Sequence, residues 1–231
     1  MQRQFDRFPG LKYAFFDAVR IRARSAYPAD YDVRARRRLF GDDLRPGEVG
    51  CFISHREVWR RCAASGDAAW CVLEDDIVLH DHFVDTLSVL MRHAACWDVV
   101  RLMQLLRRRG SWVAATLEPG VRLRAYDRQP SGTQGYVLTP AAARRLAAHA
   151  ARIVWPIDET LDLYWRHGLR LFSAEPDAIG LAADFESTIE NRSSRLRPKW
   201  RKIQRELING QHGLQRKIYN WRTFGVRREM D

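Results

Sequence analysis

The chain has 231 residues, 46% hydrophobic and 11% aromatic, with 39 Lys/Arg against 28 Asp/Glu for a net charge of +11. That length and apolar content support one sizeable core and exclude wholesale disorder. No run of about eighteen apolar residues occurs, and the N-terminal MQRQFDRFPG lacks the apolar centre of a secretory signal, so a cytoplasmic protein is expected.

The charge is uneven. Residues 192–231 hold twelve Lys/Arg and three Asp/Glu, a net of +9, which leaves +2 for residues 1–191. A nearly neutral body, 1–191, and a cationic tail, 192–231, are the expected units. The four cysteines, Cys51, Cys62, Cys71 and Cys96, form no CxxC pair and are expected to be buried, reduced thiols.

In chain order, Lys12–Phe16 (KYAFF) is aromatic-rich and predicts a strand. Residues 20–46 look irregular, and the basic cluster Arg34, Arg36, Arg37 and Arg38 is expected to be solvated surface. A helix is predicted at about 51–66, with Cys51, His55, Val58, Trp59 and Cys62 on one inward stripe. Ala69–Leu73 predicts a short strand, followed by a helix near 81–94 and strands at Asp98–Met103 and Trp112–Thr116. Gly132–Leu138 predicts a glycine-punctuated strand, with Thr139-Pro140 capping a helix over 141–149. Trp155-Pro156-Ile157-Asp158 opens another helix to about Arg166, and Leu169–Ala174 closes as a strand. Alternating strands and helices predict an α/β sandwich with a mostly parallel sheet.

Glu74-Asp75-Asp76 follows the predicted strand at 69–73 directly. Three adjacent carboxylates beside an apolar run repel one another, so the triplet is either an exposed turn or is compensated by a cation. Alternation in an extended chain lets Glu74 and Asp76 converge while Asp75 points away. Hard oxygen donors suit Mg2+ or Mn2+, ions that also bind phosphates, and ligands of open α/β sheets gather at carboxyl strand ends. A solvated turn before a helix N-terminus explains the same acids without any ligand.

GEVGCFISH (47–55), VLEDD (72–76), GTQGYVLTPAAARRL (132–146) and WPIDETL (155–161), in that order, resemble glycosyltransferase family 25, the lipooligosaccharide galactosyltransferase-like enzymes. The resemblance covers residues 10 to about 190. It implies a GT-A-like, Rossmann-type domain that moves a hexose, commonly galactose, from a UDP-sugar to a glycan or glycolipid acceptor of lipopolysaccharide type with a divalent metal. By that resemblance, Glu74, Asp75 and Asp76 stand at the metal-binding motif, with Asp76 the foremost ligand, and Ser54 and His55 approach the same strand end. For His55, a packed core histidine is the competing reading. Asp158 matches the family's P-x-D and is the first candidate for the carboxylate that takes the acceptor's proton, with Glu159 and Glu186 behind it. A helix cap explains Asp158, and a surface charge Glu159, equally simply. Gln134 and Gly135 are candidates to line the sugar pocket, although strand packing also accounts for the glycine.

The family's first strand would precede Met1, so the resemblance implies a domain without it, weakened in donor binding. A start codon placed too far downstream is the favoured explanation, ahead of a deliberate fragment or a decayed gene product.

In the tail, Trp200, Ile203 and Leu207, then Leu214, Ile218 and Trp221 after Asn209-Gly210, predict two basic amphipathic helices. These suit an anionic membrane surface, which would make the protein peripheral on the inner membrane; packing of the apolar stripes on the body is the alternative. Nucleic-acid binding is disfavoured by the near-neutral body and the absence of a zinc finger or RNA-binding aromatic motif. A non-catalytic sugar-binding relic of the same fold is the other alternative.

Overall fold

A computed structural model describes residues 1–106, 110–182 and 199–225, with side chains from residue 206 onward in the last segment. The helices are α1 (Gln2–Phe5), α2 (Val33–Phe40), α3 (Pro46–Ala64), α4 (Phe83–Arg92), α5 (Pro140–His149), α6 (Ile157–Asp162), α7 (Tyr164–His167) and α8 (Lys199–Phe224). The strands are β1 (Trp70–Leu73), β2 (Ile77–Leu79), β3 (Val99–Arg101), β4 (Ser111–Glu118), β5 (Val121–Tyr126), β6 (Gly135–Leu138), β7 (Leu171–Glu175) and β8 (Ile179–Leu181).

Six strands form one sheet in the order β1-β6-β3-β7-β5-β4, and β2 pairs with β8 in a separate ribbon. The fold is mixed α/β, but the sheet is not mostly parallel. Among the described strands only β3–β7 pairs in parallel; the β1–β6, β3–β6, β5–β7 and β4–β5 pairs are antiparallel. The reason is insertion. β1, β3 and β7 share one direction, as helical crossovers dictate, yet β6 wedges between β1 and β3 in the opposite sense, and the β4–β5 hairpin closes the far edge. This hairpin turns at Pro119-Gly120, with Gly120 at φ +88°.

Alternation along the strands separates two cores. Val99, Tyr136, Leu138 and Leu171 face the cluster that includes Phe52 and Trp59 of α3, Leu146 of α5 and Leu161 of α6. Val100, Val137, Phe172 and Ala174 face the other, with Leu90 of α4 and the β2–β8 ribbon.

Several local expectations are corrected. Lys12–Phe16 forms no strand; Tyr13 stacks on Phe5 at 4.2 Å and meets Phe15 edge-on at 5.6 Å. The stretch that follows is pinned to α3, where Ser54 Oγ accepts Val19 N–H at 2.8 Å. Residues 20–46 contain α2, capped by Asp32, whose side chain accepts Ala35 N–H. Within α2, Arg36 is buried over the Phe40 ring at 4.0 Å, whereas Arg34, Arg37 and Arg38 are exposed as expected, Arg37 pairing with Asp43 at the surface. All four cysteines are free, but only Cys62 is buried, and Cys71 and Cys96 are exposed. Among its described residues the tail forms one helix, not two: α8 runs unbroken through Asn209-Gly210. Among the described residues no helix is long and apolar enough to cross a membrane.

Candidate active site

Because β6 opposes β1 and β3, its first residues meet their last ones, and the candidate residues gather at that one end of the sheet. β1 ends at Leu73 opposite Gly135, which sets Glu74 beside the loop entering β6. Glu74 N–H donates to the Gln134 carbonyl at 2.8 Å, and Thr133 Oγ1 donates to Glu74 Oε1 at 2.5 Å.

The other side of Glu74 is held by α3. His55 is buried, with Nε2 at 3.3 Å from Glu74 Oε1 and Nδ1 at 2.8 Å from the Tyr136 hydroxyl, which also receives the Trp59 indole N–H at 2.8 Å. Indole nitrogen only donates, so the Tyr136 hydroxyl accepts from Trp59 and is also bonded to His55 Nδ1, while His55 Nε2 is bonded to Glu74. Burial alone would raise the Glu74 carboxyl; the bonds from His55 and Thr133 hold it below the usual carboxylate range.

Asp75 is exposed, whereas Asp76 is half-buried and keeps Oδ1 enclosed with no hydrogen-bond partner among the described residues. Burial, then the charge of Glu74, raises the Asp76 carboxyl, and Asp75 adds to this. Cys51, one turn before His55, reports the local field. Its thiol is pushed up to about 12 by burial and then by Glu74, Asp158 and Asp76. Glu74, Asp76 and Asp158 therefore all act on one thiol, although they arise from a strand end and a distant helix.

Asp158 sits on the first turn of α6, where negative charge is favoured by the exposed N–H groups. Asp162, one turn on and on the same face, pairs with the buried Arg101 at 2.5 Å and accepts Ser131 Oγ–H at 3.1 Å. Arg101 also donates to the Gly132 carbonyl and to Gln129 Oε1, both at 3.0 Å. Burial raises Asp162, Arg101 opposes this, and Asp158 adds to it. Arg101, Asp162 and Thr133 were not singled out in the sequence; the one available signal was an arginine inside the apolar run Val99-Val100-Arg101-Leu102.

Other candidates fall differently. Ser54 is buried and spends its hydroxyl on the Gly50 carbonyl at 2.8 Å while accepting Val19 N–H, so it fastens the N-terminal stretch to α3. Gly50 serves the same contact: a Cβ there would lie 2.5 Å from the Val19 carbonyl oxygen. Gly135 is buried in packing, since a Cβ would meet Ile179 Cδ1 at 2.3 Å and Leu73 Cδ2 at 3.0 Å. Gln134 is half-buried and folds its amide oxygen over Gly132, whose φ is +90°. Glu159, half-buried, lies about 100° around α6 from Asp158. Glu186 lies outside the described residues.

Two donor sets could hold a metal. Cys51, His55 and Glu74 have donor atoms within 4.8 Å of one another. The Cys51 thiol stays protonated far above neutrality, and His55 and Glu74 are already bonded to each other, so this set fits poorly. Asp76, with an enclosed and unpartnered oxygen beside Glu74, fits a hard divalent ion better, because a cation would relieve the repulsion that raises its carboxyl.

Residues 1–161 match Glycosyltransferase family 25 (LPS biosynthesis protein). The chain belongs to that family. It is 32% identical over 154 residues to Inactive glycosyltransferase 25 family member 3 of Mus musculus, covering 59% of this chain and 26% of that protein. The Homo sapiens protein of that name is 31% identical over 154 residues, covering 59% and 25%. Procollagen galactosyltransferase 1-B of Xenopus laevis is 30% identical over 156 residues, again covering 59% and 25%. The chain thus matches about a quarter of the length of these family 25 relatives.

Proposed function

We propose that this family 25 chain is a metal-dependent hexosyltransferase that uses a UDP-sugar, with galactose the favoured sugar, on a GT-A-like, Rossmann-type domain. The observation that carries the reading is Asp76, whose enclosed carboxylate oxygen has no partner among the described residues, beside Glu74 at the carboxyl end of β1, with Asp158 acting on the same Cys51 thiol. The galactosyltransferase names among its relatives support the sugar, and the family's description supports a lipopolysaccharide-type acceptor.

In this reading Asp76, with Glu74 beside it, would hold a Mn2+ or Mg2+ ion, which would supply positive charge to the diphosphate of the donor. Asp158 accepts the proton of the acceptor hydroxyl as its oxygen bonds to the sugar's anomeric carbon; the bond from that carbon to the diphosphate breaks, and UDP leaves with the electron pair. The Trp59–Tyr136–His55 chain keeps the Glu74 carboxylate ionised and oriented, and Arg101 holds α6 against the sheet through Asp162.

Calorimetric titration with UDP and UDP-galactose in Mn2+, and again after EDTA, tests this. Binding that requires the ion and falls at least about tenfold in Asp76→Asn is expected; ion-independent binding, unchanged in the variant, contradicts it. A second reading is a sugar-binding member without transfer chemistry. It draws on the relatives named inactive and on the tying of Glu74 to His55 and Thr133. It predicts the same binding with no turnover.

A further inference from the structure

The helix α8 is inverted relative to a helix that covers a core. Its polar side faces the body: His212 and Asn220 are buried, and Trp165 Nε1–H donates to Gln215 Oε1 at 3.2 Å. Tyr219 donates to the Leu169 carbonyl at 2.9 Å, and Asn220 donates to the Tyr126 carbonyl at 3.3 Å. Phe224 closes this seam against Trp112 and Phe172, with ring centroids at 5.6 and 5.8 Å.

The opposite side carries Leu207, Leu214, Ile218 and Trp221, exposed by 70, 62, 42 and 60%. Their spacing of seven, four and three residues makes one stripe about four turns long. Single exposed apolar residues are ordinary, but a continuous stripe facing solvent marks a contact surface.

We propose that this stripe lies in the interface of an anionic phospholipid bilayer, with α8 parallel to the surface as an anchor already docked on the body. Charge selects the occupant. Lys217 and Arg222 are exposed beside the stripe, and residues 192–231 carry twelve Lys/Arg against three Asp/Glu. A second copy would bring an equally cationic helix to the contact, and a nucleic acid would set phosphates against Leu, Ile and Trp. A bilayer with anionic headgroups takes the apolar residues to a depth of about 5–10 Å and meets the cations at its surface. This anchor does not depend on transfer chemistry.

Co-sedimentation of the full chain with vesicles of phosphatidylcholine alone, or with about one-quarter phosphatidylglycerol, tests it at roughly 0.05 and 0.5 M salt. Expected are binding to the anionic vesicles only, weakening with salt, and a loss of at least about tenfold in Leu214→Glu/Ile218→Glu with an unchanged melting temperature. Lys217→Gln and Arg222→Gln should each weaken binding about fivefold. Equal binding to neutral vesicles, wild-type binding by the double Glu variant, or a lowered melting temperature in that variant would overturn the proposal. So would lipid-free self-association that the same two substitutions abolish.

Discussion

Asp76, half-buried, and His167, buried, each enclose a polar atom with no partner among the described residues, and each carries a prediction. Asp76 encloses a carboxylate oxygen that no donor among the described residues reaches, next to the ionised Glu74. Such a group costs stability unless a cation compensates it. Asp76→Asn should therefore unfold no earlier than the wild type in EDTA, by thermal melt, while losing the stabilisation that added Mn2+ gives the wild type. His167 donates Nε2–H to the Leu161 carbonyl at 3.0 Å, and its Nδ1 is buried with no partner among the described residues. Burial, with opposing charge from His149, Arg145 and Arg101, lowers it from 6.5 to about 3. Unfolded chains take this proton near pH 6.5 and the folded chain does not, so the group's stabilisation is complete above that pH and is lost as acid approaches pH 3. The slope is about 1.4 kcal/mol per pH unit. Urea unfolding of the wild type and His167→Gln at pH 7, 5.5 and 4.5 should show the steeper decline in the wild type.

Among the elements, β6 does most to build the site, because its entry loop reaches the carboxyl ends of β1 and β3 together. Gly135→Ala would drive a methyl into Ile179 and Leu73, and Gly50→Ala would drive one into the Val19 carbonyl. Each should cost about 1–3 kcal/mol by urea unfolding. Breaking the Arg101–Asp162 pair with Arg101→Met should cost about 3–5 kcal/mol, partly recovered when Asp162→Leu is added. The helices α3 to α6 and strands β1, β3, β4, β6 and β7 were legible because period, caps and apolar runs mark them locally. The strand pairings were not. Local pattern reports direction through crossovers, whereas the wedging of β6 is a tertiary event. The short strands β2 and β8 gave too few residues to show alternation. The same limit applied at the site. Glu74, Asp76 and Asp158 stood out as charges at element ends, but Thr133 became visible only when register set its loop beside Glu74.

For the whole molecule, charge and hydropathy divide the labour. The sheet and its flanking helices form a nearly neutral body, and the cationic tail contributes a helix whose polar seam grips that body while its apolar stripe faces out. The composition of the tail was legible. Which side of α8 would turn inward was not, because His212, Gln215, Tyr219 and Asn220 find partners on α7, β5 and the loop before β7 that no local pattern reveals. The account rests on carboxylates from the end of β1 and the start of α6 acting together to split a nucleotide sugar. Release of UDP from UDP-galactose in Mn2+, by the wild type and by Asp158→Asn, tests that claim most directly. Turnover by the wild type that drops at least about a hundredfold in the variant, with donor binding retained, is the predicted result. Turnover unchanged by Asp158→Asn, or none from a wild type that binds donor and ion, would contradict it.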